Sequence, residues 1–364
     1  MGDKATRARR HEVVAAIRRA ETALSSGMHE EYRENDILSE FRRLALAPGG
    51  FQDFRKQVWP LLLGFSTDDV VSFYSEHHIK IQVPPFMATK HRDDTQIQMD
   101  VNRSLGGTRW SDVKGLKRTT KRKALFSLVH AALCVSKEVQ YYQGFHDVAS
   151  VFLVAVGMPL SIPLVARMAQ TYLGEPTRSN FDTVLPLFRY LYPLLQSQDP
   201  ALYKHIASSV DHAYFALPWV ITWFSHDIDS FQDVARLYDV LLASHPIFSL
   251  YVSAALILLH RDTILACDAD FGILHTTLQN LPSSMDVEET IQYANLLYEN
   301  IPPEDLAVNQ TSLFWTFPFP HQRRLGVREK KRKEETSMTL TIAATAVGSL
   351  AVAFATRLNA KGLK

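Results

Sequence analysis

The chain has 364 residues, of which 46% are hydrophobic, 10% aromatic and 21% charged, and 39 Lys and Arg stand against 38 Asp and Glu for a net charge of +1. This is ordinary globular composition with apolar mass for a large core, and the balanced charge excludes a globally basic nucleic-acid-binding protein. Two cysteines, Cys134 and Cys267, make neither a disulfide framework nor a paired metal motif, and fit a protein facing the reducing cytosol.

Residues 1–47 read as a helical lead. Basic residues near the start are not followed by a long apolar run, which excludes a secretory signal peptide. Val13, Ile17, Ala20 and Leu24 recur at helical spacing, so an amphipathic helix is expected there. Over 48–300 the apolar periodicity is helical with very little strict alternation. Counting from residue 37, it predicts helices at 37–46, 51–63, 70–78, 117–135, 145–156, 164–173, 184–196, 201–208, 220–225, 231–244, 247–261 and 287–299. Pro48-Gly49-Gly50, Gly157, Gly174-Glu175-Pro176, Asp199-Pro200 and Leu281-Pro282 mark turns between them. Asp286 and Glu289 have the spacing of a capping box. Two uncharged stretches read as core rather than membrane: 148–166 is broken by Gly157, Pro159 and Pro163, and 247–259 is too short to span a bilayer. The expected fold class is all-α.

Residues 301–335 read as a partly extended linker that ends in a basic run, Arg328 to Lys333. Residues 336–356 carry no charge and as a helix would span roughly 31 Å, about the thickness of a bilayer's hydrocarbon core. A transmembrane tail anchor is expected there, with 357–364 as a short tail and residues 1–335 in the cytosol.

Several chemistries are absent from the sequence. It has no phosphate-loop motif, no G-x-G-x-x-G and no HExxH, and no two histidines lie three or four residues apart. No structural metal and no nucleotide site of the chain's own are expected. His260-Arg261-Asp262 imitates a kinase triplet, but the Asn expected five residues later is Cys267, so it reads as a charged helix end.

Three short motifs stand out: Arg55-x-x-x-Trp59 before an apolar run, Ile97-x-x-Asp100-x-x-Arg103, and Tyr141-x-Gln143-Gly144. In this order, on an all-helical chain, they resemble the fingerprint of the TBC-domain GTPase-activating proteins for Rab GTPases. The segment 215–226 is similar to later helices of that family. The resemblance implies a multi-helical TBC domain over 48–300 and a GTP-bound Rab GTPase as partner, which brings GTP and Mg²⁺, so the chain needs no cofactor of its own. It also implies that Arg103 and Gln143 act as two fingers, one stabilising the transition state and the other positioning water. These residue types suit that task. Arginine carries a permanent planar charge, and a glutamine amide both donates and accepts. Asp100, one turn before Arg103, would fix its pose, and Gly144 would let the backbone approach the partner.

Arg55 and Trp59 share a helix face and read as mainly structural, through cation–π or stem packing. Tyr141 is expected to pack beneath the Gln143 loop. His146 and Asp147 either touch the partner or begin a helix. Where many members continue after the arginine with Thr-x-Pro, this chain has Ser104-Leu105-Gly106-Gly107, from which a looser loop is expected. The resemblance further implies the ER-to-Golgi pathway and an endoplasmic reticulum address. Arg357, Lys361 and Lys364 leave the mitochondrial outer membrane as the alternative. A second class of function is a non-catalytic Rab-binding membrane scaffold of the same fold.

Overall fold

The computed structural model describes residues 2–26, 36–76, 90–135, 139–178, 182 and 184–306. The chain divides into two units, 1–325 and 326–364, and every described residue lies in the first. The basic run, the expected span at 336–356 and the tail lie outside the described residues. Among those described, no strand occurs and no helix is long and apolar enough to cross a membrane.

Helix α1 (Gly2–Ser25) buries Val13, Ala16, Ile17, Ala20 and Leu24, the stripe expected from its spacing, against α2 (Asp36–Leu46) and α3 (Arg55–Leu62). Arg9 of α1 donates to the carbonyls of Leu44, Ala47 and Gly50 at 3.2, 3.1 and 2.7 Å, giving partners to the open end of α2. The predicted helix at 51–63 is a 3₁₀ turn, Gln52–Phe54, followed by α3. α4 (Thr67–Glu76) starts earlier than its apolar pattern. Ser66 and Asp69 exchange side-chain and backbone bonds at 2.7 and 3.2 Å, a capping box that the pattern did not reveal.

α5 (Asp94–Arg103) and α6 (Arg118–Cys134) run antiparallel. Asp94 at the start of one meets His130 near the end of the other at 2.6 Å, and Arg122 donates to the Ser104 carbonyl at 2.7 Å. α7 (Phe145–Ala155) and α8 (Met158–Gln170) make the uncharged stretch 148–166 core, as expected. The helix predicted at 164–173 begins six residues sooner. Gly157, at φ +84°, ends α7, whereas Pro159 sits in the first turn of α8, where its missing N–H costs nothing.

A 3₁₀ turn, Leu185–Tyr190, leads into α9 (Leu191–Gln198) and α10 (Pro200–Ala207), the latter capped by Asp199. α11 (Leu217–Ile221) replaces the helix predicted at 220–225, because the chain turns at Trp223 and Phe224 with φ of +49° and +61°. Then come α12 (Phe231–Leu242), α13 (Phe248–Leu259), α14 (Arg261–Leu265), α15 (Phe271–Asn280), α16 (Val287–Asn300) and α17 (Pro303–Leu306). α13 is apolar nearly all round and buried, and it packs on α16, α9 and α11. Asp286 caps α16 by accepting from Glu289 N at 2.9 Å, one half of the expected box. α17 is a single helical turn at the start of the expected partly extended linker, the rest of which lies outside the described residues. Trp59, Phe152 and Trp223 surround Tyr238 with ring centroids 6.0, 5.9 and 5.2 Å away, which locks α3, α7 and α12 together.

Candidate functional site

Two segments meet at the site: the C-terminal half of α5 and the loop that enters α7. On α5, Ile97, Asp100 and Val101 point inward, while Met99, Asn102 and Arg103 are exposed. The Arg103 side chain is 56% exposed, and its Nη2 donates to Asp100 Oδ1 at 2.6 Å. Asp100 is only 2% exposed, so its charge needs partners. Gln96 Nε2 donates to both of its oxygens at 3.1 Å, and the Tyr141 hydroxyl donates to Oδ2 at 2.8 Å.

Tyr141 spends its one proton on Asp100 and therefore accepts from His146 Nδ1 at 2.9 Å, which places the His146 hydrogen on that nitrogen. Burial, reinforced by the Asp100 charge, raises Tyr141 far above the ordinary phenol range, and burial holds His146 below the usual histidine range. Tyr141 thus does more than pack.

The loop is held point by point. Gln140 N donates to Thr177 O at 2.7 Å, Tyr141 N to Asp93 Oδ2 at 3.2 Å, and the Tyr142 hydroxyl to Ile221 O at 2.6 Å. Gly144 has φ +107°, and a Cβ there would come within 2.7 Å of Thr222 Cγ2, so both conformation and space demand glycine. Between these fixed points Gln143 is exposed, and its amide makes no hydrogen bond within the described residues.

His146 and Asp147 are buried in the first turn of α7, so they belong to the interior. Asp147 meets His226 Nδ1 at 2.8 Å, Arg109 Nη1 at 3.3 Å and His146 Nε2 at 3.5 Å. Burial opposes its charge, but these surrounding groups outweigh it and hold the carboxyl far below the ordinary range. Burial likewise opposes a charge on His226, and the bond to Asp147 raises it in spite of that. No motif pointed to Arg109 or to the tie between Asp147 and His226.

Arg55 and Trp59 turn inward onto a residue that sequence reasoning missed, Asp239 of α12. Arg55 Nε and Nη2 each donate to it at 3.0 Å, Trp59 Nε1 at 2.8 Å and Phe51 N at 3.0 Å. The Arg55 and Asp239 side chains are 9% and 0% exposed. The pair expected to meet by cation–π or stem packing instead shares one buried carboxylate.

The loop after Arg103 is also firmer than its glycines suggested. Leu105 and Trp110 are buried, Trp110 N donates to Asp229 O at 2.7 Å, and Arg122 and Arg118 hold the Ser104 and Arg109 carbonyls at 2.7 and 3.1 Å. Among the described residues, no three His, Cys, Asp or Glu are gathered to hold a metal ion.

A family model described as the Rab-GTPase-TBC domain matches residues 52–265, which include all three motifs. The chain belongs to this family. It is 30% identical over 289 residues to TBC1 domain family member 20 of Mus musculus, covering 77% of this chain and 68% of that protein. It is likewise 30% identical over 281 residues to the Bos taurus protein of the same name, covering 74% of this chain and 65% of the relative. It is 26% identical over 262 residues to GTPase-activating protein gyp10 of Schizosaccharomyces pombe, covering 71% of this chain and 67% of the relative. This chain therefore spans about two thirds of the length of these relatives. Among solved structures, the Ypt/Rab-GAP domain of Gyp1p superimposes with a TM-score of 0.54 over 72% of this chain and 93% of that one, at 18% identity, a likeness of fold alone.

Proposed function

We propose that this chain is a GTPase-activating protein that supplies Arg103 and Gln143 in trans to a GTP-bound Rab GTPase. The observation that carries the reading is one buried carboxylate, Asp100. It holds exposed Arg103 on one side and Tyr141, two residues before exposed Gln143, on the other. Hydrolysis of GTP needs positive charge on the γ-phosphate oxygens and an oriented water. One Arg103 donor is bonded to Asp100, and the remaining N–H groups of its fork have no partner among the described residues and can meet phosphoryl oxygens. The Gln143 carbonyl would accept from the attacking water while its NH₂ donates to the partner. Ile97, Asp100, Tyr141 and Gly144 position these two groups, and Arg55 and Trp59 secure the scaffold through Asp239. GTP and Mg²⁺ come with the partner.

Residues 336–356 would hold the chain in a membrane, here assigned to the endoplasmic reticulum, raising its effective concentration near Rabs of the ER-to-Golgi pathway. A fluorescent protein fused to 322–364 tests the anchor. Reticular fluorescence that resists alkaline extraction supports it, mitochondrial rings reassign the address, and diffuse signal refutes it.

The test of activity is single-turnover hydrolysis across a panel of purified GTP-loaded Rabs. Acceleration of at least one Rab is expected. Binding without acceleration of any would make the chain a Rab-binding scaffold instead.

A further inference from the structure

Between Arg103 and Lys123 the chain carries eight Lys and Arg against one acidic residue, Asp112, although the net charge of the whole chain is only +1. That carboxylate is already occupied, since it accepts from the backbone N of Phe231 and Gln232 at 3.0 Å each, at the start of α12. The four arginines are committed as well. Arg103 bonds Asp100, Arg109 pairs with Asp147, and Arg118 and Arg122 hold loop carbonyls. The lysines are not. Lys114 and Lys117 are exposed and Lys121 is half-buried, and none of them pairs with a carboxylate among the described residues.

Because α5 and α6 are antiparallel, topology brings the basic start of α6 to the Arg103 end of α5. The bond from Arg118 to Arg109 O closes the loop that carries Lys114 and Lys117 onto the start of α6. The bond from Arg122 to Ser104 O joins the immediate neighbours of Lys121 and Arg103. If Arg103 enters a nucleotide pocket, surface within about one helix diameter, roughly 10 Å, of it must abut the GTPase. A cluster of unpaired like charges in such a place repels a basic partner surface and attracts an acidic one.

We infer that Lys114, Lys117 and Lys121 form a docking and steering surface for an acidic rim around the partner's nucleotide pocket, a role that rests on the activating function proposed above. The surface sets how fast and with which GTPase the encounter forms, and Arg103 and Gln143 then act on the bound nucleotide.

The test uses the full chain in neutral detergent and the Rab that it accelerates most. With Lys114, Lys117 and Lys121 all changed to Glu, KM should rise by about 10-fold or more at low ionic strength, while kcat moves less than about twofold. The steep salt dependence of wild-type kcat/KM should flatten, and the Lys→Gln triple variant should fall between the two. Unchanged KM and salt dependence in the Glu variant, with wild type active, overturns the docking surface alone. No acceleration by wild type on any Rab removes the activating function itself, and the docking surface with it. A deficit confined to phosphatidylserine-containing vesicles and absent in detergent assigns the lysines to the membrane and also overturns the proposal.

Discussion

The Tyr141 hydroxyl donates to the Asp100 carboxylate at 2.8 Å across 41 residues of chain, and the same carboxylate takes Arg103 at 2.6 Å. One buried anion therefore couples the pose of an exposed arginine to the loop that presents Gln143. His146 completes the line by donating to Tyr141 from within α7.

Changing Tyr141 to Phe keeps the ring in its edge-to-face contact with Phe145 but deletes both bonds. The buried Asp100 and His146 each lose a partner, at a cost of about 1–3 kcal/mol in stability. With Arg103 and Gln143 no longer held in register, kcat should fall about 10- to 100-fold while KM changes little. Single-turnover kinetics beside a thermal melt measure both. An unchanged kcat with a lowered melting temperature would reduce Tyr141 to a packing role.

Asp239 gathers Arg55, Trp59 and the Phe51 backbone in a buried site. Asp239→Asn leaves the Arg55 charge buried and uncompensated and should cost about 3–5 kcal/mol. Denaturant unfolding checks the loss. Activity per folded molecule should remain near wild type, because the clamp supports the scaffold and carries no exposed finger.

His226 gives a pH signature. Its folded pKa is raised above the unfolded value of 6.5 by the bond to Asp147, against the opposing effect of burial. A base raised on folding adds stability that is fully present below pH 6.5 and lost as pH rises through the folded value. His146 faces the same carboxylate with the opposite shift, so the comparison is made between wild type and His226→Gln. Wild type should be more stable by roughly 1–2 kcal/mol at pH 6, and the gap should narrow as pH rises toward 9. A gap that widens with pH would reverse the assignment.

Gln143→Ala should remove most of the stimulated hydrolysis even on a Rab whose own glutamine is intact, without a change in thermal stability, since the side chain is exposed. If activity survives this change but vanishes when the Rab's glutamine is replaced, Gln143 is only an interface residue.

Much of this site was legible in the sequence because its signals are local. Ile97, Asp100 and Arg103 sit three apart on one helix, and the stripe on α1 declares its own buried face. What stayed hidden depends on distant partners. Arg55 and Asp239 are 184 residues apart, and Asp147 and His226 are 79 apart, separations that no spacing rule connects. The turn at Trp223 and Phe224 is held in the left-handed region by aromatic packing rather than by glycine, so nothing local announced it. α15 keeps only Leu274 and Leu278 fully buried, too narrow a stripe to read, and the prolines of α8 masked a helix they do not stop.

The central claim, that this chain lends Arg103 to a partner's hydrolysis, is tested most directly by single-turnover GTP hydrolysis with Arg103→Ala against wild type on the Rab that wild type accelerates most. The side chain is exposed and among the described residues bonds only to Asp100, so the variant should fold normally. The rate enhancement should fall by about 10³- to 10⁵-fold, the worth of an inserted arginine finger. If the alanine variant keeps more than about a tenth of the wild-type enhancement, far above that range, Arg103 is not the catalytic finger and the account is contradicted.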